Sequence, residues 1–146
     1  MIGKVIVFGI SVILLTCCVG AAAQAPLRIH KSEFSKTAIV AGDLKLTITD
    51  ISIGASPFGM PKMEIEIENI AATAAPFDPQ QLSFVRADGH QVEALAIRVF
   101  PDILVTPRVF LIISGARLQQ SYYMNEKLQL PARMYYQGKL IAEITE

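Results

Sequence analysis

From Met63 to Asn69 the chain reads MEIEIEN, with Met63, Ile65 and Ile67 alternating with Glu64, Glu66 and Glu68. Successive side chains on an extended strand point to opposite faces, so this spacing gives a strand with one dry and one wet side. A helix would spread the same residues around its whole circumference. The pattern recurs. Leu44, Leu46 and Ile48 alternate with Lys45, Thr47 and Thr49, and Leu140, Ala142 and Ile144 share one face against Ile141, Glu143 and Thr145. Past Asp50 the apolar phase moves to Ile51 and Ile53. Continuous pleating would then turn the dry face to water, so the shift predicts a bulge or bend near Asp50.

Turn chemistry separates the runs. GASPFGMP (54–61) holds two prolines and two glycines, and AATAAPFDPQQ (71–81) is a second long connection. Asp88-Gly89 reads as a two-residue hairpin turn between the β-type runs LSFVRA and HQVEALAI, while Gly115 and Gln137-Gly138 punctuate the later runs. No segment carries an apolar stripe at helical spacing long enough for a helix, and the eight prolines fall after the first two dozen residues. The expectation is an all-β fold, an antiparallel sandwich of about eight strands, with Greek-key connections favoured over a plain barrel meander by the long crossing loops.

The N-terminal residues stand apart. Lys4 precedes an apolar run from Val5 to Leu15, and Ala21-Ala22-Ala23 supplies the small side chains that signal peptidase accepts. Residues 1–23 therefore read as a secretory signal helix cut between Ala23 and Gln24, followed by a leader or loosely held first strand (24–35) and a β-sandwich domain (36–146). Two other readings stay open: a lipid anchor through Cys17, and an uncleaved membrane anchor. Both cysteines, Cys17 and Cys18, lie inside this segment, so the exported chain would have no disulfide, no thiolate metal site and no cysteine nucleophile. Export to a periplasm or the extracellular space follows, with no membrane span once the signal is cleaved.

Three stretches, LKLTITDISIG, MEIEIENIAATAAPFDPQQLSFVRADGHQVEAL and ISGARLQQSYYMNEKLQLPARMYY, resemble the immunoglobulin-like domains of unknown function found in many bacterial exported proteins and lipoproteins. In that family an opening strand is followed by one ending in an asparagine (here Asn69), then by a Phe-containing strand with an Asp-Gly turn (Phe84, Asp88, Gly89). A glycine (Gly115) opens the closing strands. The chain departs after Gly115, where YYQGKLIAEITE adds a further hairpin. The resemblance implies fold and compartment and supplies no active site.

The reactive side chains are few. The glutamate row lacks the converging Asp/Asn/Gly loop that calcium needs, so it reads as a solvated face paired with Lys or Arg on a neighbouring strand. His30 lies in the leader and His90 beside the Asp88-Gly89 turn, neither at a metal-binding spacing. There is no Gly-x-Ser-x-Gly and no phosphate loop. With 13 Lys+Arg against 13 Asp+Glu, no basic surface calls for nucleic acid. No catalytic residue, metal site or cofactor is expected.

VFPDILVTPRVFLIIS (99–114) is the stretch most open to function. Its apolar residues either plug one end of the sandwich or form an exposed patch, with Phe100, Ile103 and Leu104 as its anchors. In each tyrosine pair, Tyr122-Tyr123 and Tyr135-Tyr136, one ring should face the core and the other solvent, which adds Tyr123 and Tyr135 to the candidate surface. The leading expectation is a non-enzymatic exported β-sandwich that binds an envelope protein. The alternatives are a small-ligand or lipid carrier in an open sandwich or barrel, and a hydrolase built from Glu64–Glu68, Asp50 or His90.

Overall fold

A computed structural model describes residues 25–53, 59–99 and 103–146, with backbone alone at 53, 95–99 and 103–105. The segment expected to be a signal helix, the expected cleavage site at Ala23/Gln24, Cys17 and Phe100 lie outside the described residues. Among those described, the regular structure is all β apart from two single-turn 3-10 helices at Lys31–Glu33 and Pro79–Gln81. The strands are β1 (Leu27–His30), β2 (Ile39–Ala41), β3 (Leu44–Ile53), β4 (Pro61–Asn69), β5 (Ala75–Phe77) and β6 (Leu82–Arg86). They continue with β7 (Gln91–Val99), β8 (Ile103–Val105), β9 (Phe110–Ile112), β10 (Arg117–Met124), β11 (Ala132–Tyr136) and β12 (Lys139–Thr145).

Twelve strands replace the eight or so expected from sequence. Four of them, β2, β5, β8 and β9, have three residues each, too few for alternation to register. Another, β1, lies within 24–35, where the sequence predicts a leader or a loosely held first strand, and it buries Ile29.

Nine strands follow one path, β1-β12-β11-β6-β7-β10-β4-β3-β2, with β8 attached to β7; β5 and β9 form a separate ribbon. Every described pair is antiparallel except β1 with β12, which run parallel. The path changes partners within β7: Gln91–Glu93 pair with β6, and Ala94–Ile97 with β10. Its two ends, β1 and β2, line one groove that includes Leu27, Ile39 and Val40, so the sheet is nearly closed.

Alternation places the core as the sequence requires. Leu44, Leu46 and Ile48 of β3 are buried beside Met63, Ile65 and Ile67 of β4, while Lys45, Thr47 and the three glutamates stay partly exposed. Leu82, Phe84, Met134, Tyr136 and Ile144 complete the same cluster from the other half of the path. Each such Leu, Ile or Phe contributes about 1.5–3 kcal/mol of burial. The phase shift near Asp50 is a β-bulge: Ile48 opposes Ile65 and Asp50 opposes Glu64, leaving Thr49 as the extra residue.

Two turns take the form their residues dictate. Gln137 and Gly138 both have positive φ (51° and 73°) between the paired Tyr136 and Lys139, a two-residue type I′ turn. The β6–β7 loop is one residue longer than the Asp-Gly signal implies. Gly89 N–H donates to Arg86 C=O and Arg86 N–H to His90 C=O, with Gly89 at φ 85°, so Ala87-Asp88-Gly89 is a three-residue loop.

Asn69 ends β4 and is the one fully buried polar residue among those described. Its amide nitrogen donates to Thr73 C=O (2.7 Å) and Ile112 C=O (2.8 Å), and its side-chain oxygen accepts from Ala71 N–H (2.8 Å). Its backbone N–H donates to Ala116 C=O, and its C=O accepts from Gly115 N–H, both at 3.0 Å. One side chain thus sets the β4–β5 loop and the β5–β9 ribbon against the main sheet.

Replacing Asn69 by Asp keeps the acceptor but removes both donations, leaving two carbonyls facing a carboxylate. Asn69→Asp is expected to lower unfolding stability by roughly 2–4 kcal/mol, and Asn69→Ala by a similar amount. Urea denaturation with an unchanged m-value is the check.

Candidate functional site

The glutamate row sits in the middle of the sheet, between β3 and β10. Lys45 Nζ lies 3.2 Å from Glu68, Lys62 Nζ 2.7 Å from Glu64, and Arg117 3.7 Å from Glu66 and 3.6 Å from Glu68. The Lys45 hydrogen bond holds the Glu68 carboxyl below its usual range with help from Arg117, and the Glu64 hydrogen bond raises the Lys62 ammonium. These carboxylates are spread along a strand and answered by cations on β3, β4 and β10. They form a wet, ion-paired face.

Asp50 opposes Glu64 in the β3–β4 ladder, near Lys62. His30 caps the Lys31–Glu33 turn, its Nδ1 accepting from Ser32 N–H (3.2 Å). His90 Nδ1 faces Glu126 at 3.7 Å, and its backbone N–H donates to Asp88 Oδ1. Arg86 bridges Asp88 and Glu126, with Nε 3.1 Å from Asp88 Oδ1 and Nη1 3.0 Å from Glu126. The Arg86 guanidinium, then the His90 amide, depress the Asp88 carboxyl to about 2 from its usual 3.8. Among the described residues no three His, Cys, Asp or Glu side chains are grouped to hold a metal ion.

The anchors expected for a binding surface lie on β8, β10 and β11, apart from Phe100. Ile103 and Leu104 form β8 on the edge of β7, and Phe100 is outside the described residues. Tyr123 corrects an expectation: it is 5% exposed, and its neighbours Tyr122 and Met124 are buried too. Tyr122 and Tyr123 pair in regular register with Ile97 and Ala96 of β7, so both faces of β10 are covered at this point. Burial also raises the Tyr122 pKa, and its hydroxyl has no hydrogen-bond partner among the described residues. In the other pair Tyr136 is buried and Tyr135 half-buried.

Among the described residues the two most exposed large hydrophobics, Leu111 and Ile113, lie in the second half of 99–114, while Leu27, Val40 and Ile70 are exposed elsewhere. The inner face of the β5–β9 ribbon buries Ala75, Phe77 and Ile112. Phe77 stacks on Tyr136 (centroids 5.5 Å apart, 16° between planes), and the Tyr136 hydroxyl accepts from Asp78 N–H at 3.2 Å. The alternate residues Val109, Leu111 and Ile113 are 54%, 71% and 72% exposed.

Both ends of the stretch are tied down. Gln80 Nε2 donates to Pro107 C=O (3.1 Å), and Ser114 Oγ donates to Ala71 C=O (2.6 Å). The Arg108 guanidinium rests 5.8 Å over the Phe110 ring. RVFLIIS is apolar on both faces, so the sequence marks a strand there without saying which face turns out.

A surface groove of about 460 Å³ has Ile51, Pro61, Met124, Leu128 and Leu130 in its lining, with Lys31 and Glu146 (3.8 Å apart) beside them. Among the described residues, no helix is long and apolar enough to cross a membrane.

No family model matches the chain, and no curated protein matches it. Two solved structures are similar. MPT63, a secreted protein from Mycobacterium tuberculosis, is 14% identical with a TM-score of 0.53, over 85% of this chain and all of that one. The YjhA protein from Bacillus subtilis is also 14% identical, with a TM-score of 0.46 over 75% of this chain and 79% of that one. The likeness to MPT63 is one of fold.

Two outcomes follow from the ion pairs. Glu66→Gln is expected to change stability by less than about 0.5 kcal/mol in urea titrations, since Glu66 and Arg117 are both solvated. The folded Asp88 titrates below its unfolded value, so the stability it contributes is complete above about pH 3.8 and lost as the pH falls toward 2. Thermal melts between pH 2 and 6 should therefore show a shallower acid loss for Asp88→Asn than for the unsubstituted chain.

Proposed function

We propose that this chain is an exported, non-enzymatic immunoglobulin-like β-sandwich that acts by binding a protein through the outer face of β9. The alternating exposure of Val109, Leu111 and Ile113 carries this reading. Single exposed hydrophobics are ordinary; Leu111 in the tethered β9, with Val109 just before it and Ile113 just after, makes an apolar run of the kind that marks interaction sites.

Other observations support the remaining parts. The change of partners within β7 divides the path into two halves whose inner faces share one core, as the two sheets of a sandwich do. Export is supported by the signal-like N-terminus and by the likeness to a protein described as secreted. The non-enzymatic reading is supported by the occupation of the polar side chains: the glutamates and Asp88 are held by Lys and Arg, and His30 by a turn.

A photo-crosslinking residue at position 111, with a control at Glu66, tests the proposal in an exporting host. One discrete adduct at 111 and none at 66 is the expected result. Export and folding without an adduct at 111 would remove β9 as the recognition surface.

A further inference from the structure

Asp88-Gly89 is the one place in the sequence where an aspartate or asparagine precedes a glycine. Such a step has a covalent chemistry of its own. Glycine has no side chain to shield its backbone nitrogen, which can attack Cγ of the preceding aspartate. The N–Cγ bond forms, a Cγ–O bond breaks, and water leaves to give a five-membered succinimide. Water then opens the ring at either carbonyl. One opening restores aspartate; the other leaves isoaspartate, whose main chain runs through the side chain and is one methylene longer. The attack needs a protonated carboxyl, because an ionised one is a poor electrophile. It also needs a glycine nitrogen free to turn toward Cγ.

The folded β6–β7 loop withholds both. Arg86 holds the carboxylate with two donors, Nε on Oδ1 at 3.1 Å and Nη2 on Oδ2, and His90 N–H donates to Oδ1 at 3.1 Å. Donors to the ionised form keep the proton off, in line with the depressed Asp88 pKa. The Gly89 N–H is engaged by Arg86 C=O at 3.0 Å. Arg86 is itself fixed: its side chain is mostly buried, and Nη1 donates to Glu126 at 3.0 Å.

We infer that Asp88-Gly89 is a latent isomerisation site held closed by Arg86, and that it converts to isoaspartate when the guanidinium is removed or the loop unfolds. The conversion has a structural consequence. Gly89 N–H to Arg86 C=O and Arg86 N–H to His90 C=O close the loop over Ala87-Asp88-Gly89. An extra methylene between those bonds puts them out of register and releases the end of the β6–β7 hairpin.

The test is to hold the full chain at neutral pH and body temperature and follow isoaspartate at position 88 by peptide mapping. Heavy-oxygen water marks each succinimide that opens. The folded chain should convert at least about tenfold more slowly than the same chain in urea. Folded Arg86→Gln should convert about tenfold or more faster than the unsubstituted chain, the order expected when the carboxyl returns toward its usual pKa. Glu126→Gln, which frees the far side of the guanidinium and leaves Asp88 held, should match the unsubstituted chain. Where Arg86→Gln does not fold, Arg86→Lys is read instead; it keeps the charge, loses the two-pronged hold and should also convert faster. Hydrogen exchange at the Gly89 amide separates a lost guanidinium from an opened loop, and its protection should be unchanged in the folded variants. The inference is overturned by a folded Arg86 variant that converts no faster than the unsubstituted chain. It is equally overturned if the faster conversion is matched by lost Gly89 protection, or if the folded unsubstituted chain converts as fast as the unfolded one.

Discussion

The buried amide of Asn69 is the interaction on which the arrangement of the β5–β9 ribbon depends. An unpaired polar group at zero exposure costs about as much as a lost hydrogen bond, a cost the Asn69 side chain avoids because its donors and acceptor are all met. Here they are met by Thr73, Ile112 and Ala71, which belong to the β4–β5 loop and to β9. The backbone of Asn69 meanwhile pairs with Gly115 and Ala116, where Gly115 takes a φ of 72° that a side chain would strain. Hydrophobic burial brings the ribbon to the core, and the amide fixes which way round it sits.

That division of labour explains what the sequence could reveal. Long strands with one wet face announce themselves. The alternation in β3 and β4, the slip near Asp50 and the cation-paired glutamate row could all be read without coordinates, because period two and the cost of exposing Leu or Ile leave one solution. The three-residue strands could not, since three positions cannot show a period. The parallel pairing of β1 with β12 joins residues far apart in the chain, with no local signal. Tyr123 departs from the expectation because β10 is covered on both faces there, and alternation tells which way a side chain points but not whether that side is covered.

The candidate surface was legible by stretch but not by residue. RVFLIIS alternates apolar with apolar, and in such a strand the pattern cannot choose a face. Contacts from elsewhere in the chain choose it: Phe77 pairs with Phe110, Ala75 with Ile112, and the Ile112 carbonyl is taken by Asn69. Residues Asn69 and Gly115, both noted in the sequence as markers at strand ends, turn out to bond one another across this junction.

The ends of the main sheet show how this protein treats exposed strands elsewhere. On β1 the exposed Arg28 pairs with Glu143, and β2 is only three residues long, both common ways to blunt an edge. The ribbon strand β9 is equally short, but its outer face carries Leu111, flanked by Val109 and Ile113. Threonine at positions 109, 111 and 113 would keep the β-propensity of the strand, leave the buried Ile112 untouched and satisfy water. Val109, Leu111 and Ile113 keep more than half of their surface exposed after folding, so burial within the chain accounts for only part of their apolar character.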